Sequence, residues 1–349
     1  MAPPFKLRTS TGWQGEETKA LIPQKFQYGV ALSPSLISTP AVRNDLVSLG
    51  VHGIRTDIFW ADVETAQGTY NWSAIDTVVN GCEASGLKVL AVVHTEPQWS
   101  SGQSVWTYAP VTAARRTNYA KFCAAAVRRY GKRIAVWEIW NEPNLSMFWK
   151  PTPSTSDYLL LLREAVSAMR AVDPSTVIIS GGMGGAGAAP DIGHQTWTTA
   201  MIQGGADIIC DGIATHHYSN TPGDMWAVQL VRTALDAVGR DTQIWLTEFG
   251  CPTGTPGVDW PGTAFGCTPA VQKQIIEQGV TVWKNLSPKG GAIIFYTYQD
   301  LTAAQQPDQR EQHFGFKNVD GSPKPGYEGI RKASLEASIH PIRTTQIGV

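Results

Sequence analysis

The feature that most constrains this chain is an alternation. Short β-branched runs recur eight times, with longer amphipathic runs between them, as expected of repeated βα units and a parallel sheet. The strands are expected near Phe26–Ala31, Gly53–Ile58, Leu87–Val93, Ile134–Trp140, Thr176–Ser180, Gly212–His216, Gln243–Glu248 and Ala292–Thr297. Helices are expected over Ala41–Leu49, Ala74–Ser85, Thr112–Tyr130, Thr155–Val172, Met225–Val238, Pro269–Asn285 and Tyr327–Ser334, with a further one within Pro190–Gln203. Ser73 before Ala74, Thr155 before its apolar-periodic run and Thr268-Pro269 supply helix-start chemistry. Eight strands is a number that closes a barrel. The fold class is therefore α/β, a single-domain (β/α)8 TIM barrel over residues 26–338, with an N-terminal extension over 1–25 and a C-terminal tail over 339–349. A length of 349 residues suits a barrel of about 250 residues carrying insertions.

Charge narrows the partner. The net charge is −1 and only 16% of residues are charged, so no basic face for nucleic acid or lipid is expected. No apolar run approaches the roughly 20 residues of a membrane helix. A neutral ligand fits better. Thirteen tryptophans divide between core filling and flat faces that stack on sugar rings. Of five cysteines, Cys82 and Cys123 fall in helical patterns as small buried hydrophobes; Cys251 and Cys267 bracket a Gly/Pro-rich loop and could be bridged. The odd count leaves at least one thiol free, and no Cys/His spacing suggests zinc. The N-terminal M-A-P-P-F-K-L-R-T-S-T-G-W lacks the apolar stretch of a signal peptide. The composition suits an extracellular or cell-surface setting, with the cytoplasm as the alternative; it does not speak to oligomeric state.

In such a barrel the active site lies at the C-terminal ends of the strands. The polar residues expected there are Arg55 and Asp57, His94 and Glu96, Asn141 and Glu142, His216, His217 and Tyr218, Glu248, and Tyr296 and Tyr298. Glu142 and Glu248 end strands four and seven, which face each other across the mouth. Glycosidic cleavage through a covalent intermediate needs two carboxyls about 5–5.5 Å apart, one acid and one nucleophile. Arg55 would hold Glu248 ionised, and Tyr218 could donate to the same carboxylate. Trp137, Trp140 and Pro143 would surround Glu142 with apolar groups that favour the neutral acid. The bland alternative is that such acids cap helices or pair with arginine.

The segment V-W-E-I-W-N-E-P-N (Val136–Asn144) resembles the acid/base motif of glycoside hydrolase clan A, and I-W-L-T-E-F-G (Ile244–Gly250) its nucleophile motif. Gly53–Asp76 and Gly86–Val93 are similar to the second and third units of family 39, which contains β-xylosidases and exopolysaccharide hydrolases. Asp211–Tyr218 and His313–Tyr327 resemble its sixth strand and the lead into its last helix. The resemblance implies Glu142 as acid/base and Glu248 as nucleophile, with Asn141 binding the sugar 2-hydroxyl. It implies Arg55 and Tyr218 as supports of the nucleophile, with His216 nearby, and His94 and Glu96 as sugar contacts. Strand eight departs from the pattern, offering Y-T-Y-Q where many clan members carry tryptophan; Tyr296 or Tyr298 would substitute there.

His216-His217 could suggest a metal, but a third ligand is lacking unless His94 serves, so neither metal nor cofactor is expected. Gly181–Pro190 lacks the G-K-[ST] of a phosphate loop and is expected to form a flexible rim. Stacking platforms are expected among Trp99, Trp106, Met147, Phe148, Trp149 and Trp260. The reading is a retaining hydrolase of β-linked oligo- or polysaccharides. A catalytically inactive carbohydrate-binding barrel is the alternative, and membership of a larger polymer-degrading particle a third possibility.

Overall fold

The computed structural model describes residues 26–254 and 265–339. The extension over 1–25, nearly all of the tail and Trp260 lie outside the described residues.

Eight parallel strands close into a barrel in chain order: β1 (Tyr28–Ala31), β2 (Gly53–Phe59), β3 (Lys88–His94), β4 (Val136–Ile139), β5 (Ile178–Ser180), β6 (Gly212–Tyr218), β7 (Gln243–Gly250) and β8 (Ile293–Tyr296). A principal helix follows each strand: α1 (Pro40–Leu49), α2 (Ser73–Ala84), α3 (Ala113–Tyr130), α4 (Thr155–Val172), α5 (His194–Gln203), α6 (Trp226–Ala237), α7 (Pro269–Leu286) and α8 (Pro325–Ile339). The TIM barrel read from the alternation is the fold. Among the described residues no helix is long and apolar enough to cross a membrane.

Two helix starts differ from the sequence reading. Ser73 lies inside α2, and its hydroxyl and amide both donate to Asn71 Oδ1, at 2.7 and 3.2 Å, so Asn71 organises that turn. The cap of α4 is Ser154, whose Oγ accepts from the Asp157 amide at 3.2 Å, one residue before the expected Thr155. At α7 Thr268 caps as expected, with Pro269 in the first turn.

Strand alternation makes two cores. Leu90, Val92, Val136, Ile179, Ala214, Trp245 and Ile294 fill the barrel interior. Their sequence neighbours, among them Val93, Trp137, Ile178, Ile213, Leu246 and Phe295, point outward into the larger core beneath the helices. The interior core ends below the mouth, and polar side chains complete the layers above it.

Candidate active site

Arg55 is the hub of those polar layers. It alternates inward on β2, is almost fully buried, and its guanidinium is divided among Glu138, Glu248 and Asn141, with His216 Nε2 3.5 Å from Nη2. Nε donates to Glu138 Oε2 at 2.7 Å, Nη1 to Glu248 Oε1 at 2.6 Å, and Nη2 to Asn141 Oδ1 at 2.8 Å. Burial opposes its charge, but Glu138 and Glu248 together more than offset that and raise its pKa. Glu138, wholly buried, also accepts from the Gly182 amide at 2.8 Å and Thr247 Oγ1 at 3.1 Å.

Glu142 and Glu248 come together above this layer. A carboxylate oxygen of each and a ring nitrogen of His216 all lie within 4.8 Å of one another. His216 Nδ1 is 2.8 Å from Glu142 Oε1 and 3.5 Å from Glu248 Oε2. Burial works against its charged form, yet Glu248 and then Glu142 outweigh it and raise the pKa of His216 above its ordinary value. Tyr218 OH donates to the same Oε2 of Glu248, while Arg55 holds Oε1. Both acids remain slightly open to the mouth, with side chains 13% and 11% exposed.

The backbone around Glu142 is unusual. Trp140 and Glu142 have φ of 71° and 42°, left-handed values that cost energy for residues with a Cβ and tend to cluster at functional sites. By strand alternation Trp140 would follow Val136 and Glu138 into the barrel. The left-handed turn sends it outward instead, where it packs on Tyr119 and Trp149. Asn141 and Glu142 are left over the mouth. Trp137 also points outward, so the expected aromatic surround of Glu142 is corrected: its carboxylate meets His216 and the backbone of Gly184. A Cβ on Gly184 would overlap that carboxylate, and one on Gly182 would overlap His216. The rim read over Gly181–Pro190 therefore begins late. Gly181 to Gly184 are buried wall, fixed by Glu142 N donating to Gly182 O and His216 N to Met183 O, both at 2.9 Å.

Of the residues expected at the site, the mouth gathers Arg55, Asn141, Glu142, His216, Tyr218 and Glu248. His94 is close by, its Nε2 3.1 Å from Asp57 Oδ1; burial of Asp57 is outweighed by His94 and Arg55, which lower its pKa. Others are elsewhere. Trp149 is fully buried between Trp140 and Tyr158 and offers no face to a ligand. Tyr298 lies beyond the end of β8 and turns outward, where its hydroxyl donates to Asp45 Oδ2 on α1 at 2.8 Å. Glu96 is 1% exposed and clamped by Arg115 and Ser100, a structural ion pair. His217 faces outward against Phe249, with Nε2 2.7 Å from Asp224 O. Trp99 is half-buried, its Nε1 donating to Glu64 O. Trp106, 46% exposed with its ring edge-on to His94, does stand at the rim.

Two residues escaped the sequence reading. Glu138 had a signal: a lone acid in an apolar strand, in phase with inward Val136, needs a buried cation, and Arg55 is that cation. Glu311 had none, because it arrives on a short turn, Glu311–His313, from the long loop after β8. Tyr296 OH is 3.5 Å from its Oε2. Burial raises the pKa of Glu311; Arg310 opposes this, and the charge of Glu248 adds to it.

Glu142, His216 and Glu248 could present three ligand atoms to a metal, a set that replaces the His216-His217-His94 grouping considered from sequence. The Arg55 guanidinium on Glu248 works against a dication there.

The chain's likeness to known proteins agrees with this geometry. A family model for Cellulase (glycosyl hydrolase family 5) matches residues 10–259, more than half of the chain. A family 39 glycoside hydrolase from the gut symbiont Bacteroides cellulosilyticus WH2 superposes with a TM-score of 0.68 at 23% identity, covering 93% of this chain and 66% of that one. A monomeric β-xylosidase from Caulobacter crescentus CB15 superposes with a TM-score of 0.65 at 21% identity, over 90% of this chain and 68% of that one. A GH5_18 protein from Streptomyces cattleya, solved with GlcNAc, gives a TM-score of 0.67 at 15% identity, over 89% and 80%. No curated protein sequence matches. At these identities the structural likeness speaks for the fold, and the chain spans about two thirds of the length of the first two. The chain belongs to the glycosyl hydrolase family 5 (cellulase) family and is a clan A glycoside hydrolase, similar in fold to family 39.

Proposed function

We propose that this glycoside hydrolase cleaves β-linked sugars with net retention, Glu142 acting as acid/base and Glu248 as nucleophile. The observation that carries the reading is the close approach of the two carboxylates, an oxygen of Glu142 lying within 4.8 Å of an oxygen of Glu248. Retaining enzymes keep the pair about 5–5.5 Å apart, whereas inverting enzymes leave about 6.5–9.5 Å for a water. Arg55 and Tyr218 each donate to an oxygen of Glu248 and orient its carboxylate to attack the anomeric carbon. Glu142 would protonate the leaving oxygen, then take a proton from the water that releases the sugar from Glu248. Asn141, oriented by Arg55, would meet the 2-hydroxyl. An extracellular or cell-surface setting fits a polysaccharide substrate.

Hydrolysis of a panel of 4-nitrophenyl β-glycosides by wild type, Glu142→Gln and Glu248→Ala tests this. Both variants should lose activity, and azide should rescue Glu248→Ala with a glycosyl azide of inverted configuration. Equal rates for all three proteins would sink the assignment. An inactive sugar-binding barrel would show no wild-type turnover.

A further inference from the structure

Two buried thiols outside the mouth have no part in the proposed chemistry. Cys251 directly follows β7, and Cys267 stands just before Thr268, the cap of α7. Their backbones run side by side. Thr253 pairs with Cys267 as in a parallel sheet, Cys267 N donates to Pro252 O at 3.0 Å, and Gly254 N donates to Cys267 O at 2.9 Å. Both side chains meet at one atom, Pro252 O, with Cys251 Sγ at 3.7 Å and Cys267 Sγ at 3.5 Å. From α7, Gln272 Nε2 donates to Cys251 O at 3.0 Å and fixes that side of the pair.

We propose that Cys251 and Cys267 are a redox couple, a dithiol that a small-molecule disulfide such as oxidised glutathione converts to an internal disulfide fastening the end of β7 to the start of α7. Contact with one carbonyl, between adjoining backbones, brings the two sulfurs together without refolding of either element. The other cysteines lie elsewhere: Cys82 on α2, Cys123 on α3, and Cys210 ahead of β6, where its Sγ donates to Ala206 O at 3.1 Å and Gly212 O at 3.2 Å.

Cys267 is the point of entry. It is 6% exposed against 0% for Cys251, and its neighbours Thr253, Gly254 and Pro269 line a cavity of about 550 Å³, with Lys324 at the same wall. The Lys324 ammonium, held by Asp300 Oδ1 at 2.6 Å, interacts with charge on Cys267, so a thiolate attacking from there has a cation facing it. That thiolate attacks one sulfur of the reagent, the reagent's S–S bond breaks, and one glutathione thiolate leaves. Cys251 then gives its proton to water and attacks Cys267 Sγ, which forms the protein disulfide and expels the second glutathione thiolate. Two protein thiols lose two electrons, and one glutathione disulfide becomes two thiols. The hydrogen bond with Cys267, and after it burial, pushes the Cys251 thiol up. The first of these causes disappears once Cys267 carries the mixed disulfide, which sets the order of the two attacks.

The test equilibrates reduced wild type in glutathione buffers from fully reduced to fully oxidised, both folded and during refolding from urea. Alkylation in denaturant followed by intact mass then counts the free thiols. The count should fall from five to three as the buffer is oxidised, and peptide mapping should find Cys251 joined to Cys267. Cys251→Ser should instead keep a glutathione mixed disulfide on Cys267, whereas Cys267→Ser should take up none. With about 15 residues between the two cysteines, the bond should raise the midpoint of thermal unfolding by roughly 5 °C, and neither serine variant should show a redox-dependent shift. Five thiols in the most oxidising buffer, a bridge to Cys82, Cys123 or Cys210, or a bridge that leaves the midpoint unchanged would each overturn the couple. No mixed disulfide in Cys251→Ser would overturn Cys267 as the point of entry. The wild-type thiol count decides the pairing even where a serine variant fails to fold.

Discussion

Thr247 and Glu248 are adjacent on β7, yet both point into the barrel. Successive strand residues normally face opposite sides. Here Thr247 Oγ1 donates to Glu138 Oε1 at 3.1 Å, while Glu248 Oε1 receives Arg55 Nη1 at 2.6 Å. The ladder slips between them: Thr215 pairs with Leu246, but His216 pairs with Glu248. One extra residue in β7 re-aims the carboxylate over the mouth, as bulges beside active sites do. Glu138 anchors this arrangement from below, and its loss is the sharpest stability test.

Glu138→Ala would leave Arg55 buried with one carboxylate instead of two. Unfolding free energy should fall by about 3–5 kcal/mol, the cost of stranding one partner of a buried pair. Glu138→Gln, which keeps the volume and an acceptor, should cost less. Urea denaturation followed by circular dichroism checks both, and Glu138→Ala as stable as wild type would refute the anchoring role.

The pKa of His216 is raised in the fold, so its protonation stabilises the native state. That contribution is complete below its unfolded value of about 6.5 and is lost as pH rises through the higher folded value. Stability measured across this window should decline with pH more steeply in wild type than in His216→Gln. Parallel curves would show that His216 is not held charged by the two glutamates.

Trp149 and Tyr298 separate packing from substrate contact. Trp149→Ala should cost about 3–5 kcal/mol of stability, as for other large buried aromatics. Tyr298→Phe should cost about 0.5–1.5 kcal/mol for its bond to Asp45. The KM for aryl glycosides should stay unchanged in Tyr298→Phe. A raised KM would place Tyr298 back at the sugar.

Glu311 runs opposite to a paired surface acid. Its pKa is raised, mainly by burial, so ionisation opposes folding as pH climbs above its ordinary range near 4.3. Glu311→Gln should therefore stabilise the protein at neutral pH and give no gain in acid, where wild type is already protonated. Thermal melts at both pH values decide this.

All eight strands and all eight principal helices were legible, because periods of two and 3.6 are properties of local sequence and burial. So were Arg55, Asn141, Glu142, Tyr218 and Glu248, since a barrel sends the polar residues at its strand ends to one mouth. The errors arose where local periodicity stops governing direction. Left-handed backbone at Trp140 and Glu142 rotated the aromatic residues away from the acid. The end of β8 released Tyr298 to α1, and Arg115 on α3 claimed Glu96. Glu311 reached its place only through a long loop and packing between distant segments. Sequence by itself determined the barrel and the pair of acids at its mouth. Which side chains surround that pair was decided by the tertiary structure, because charge pairing, desolvation and packing act between residues that the chain keeps far apart.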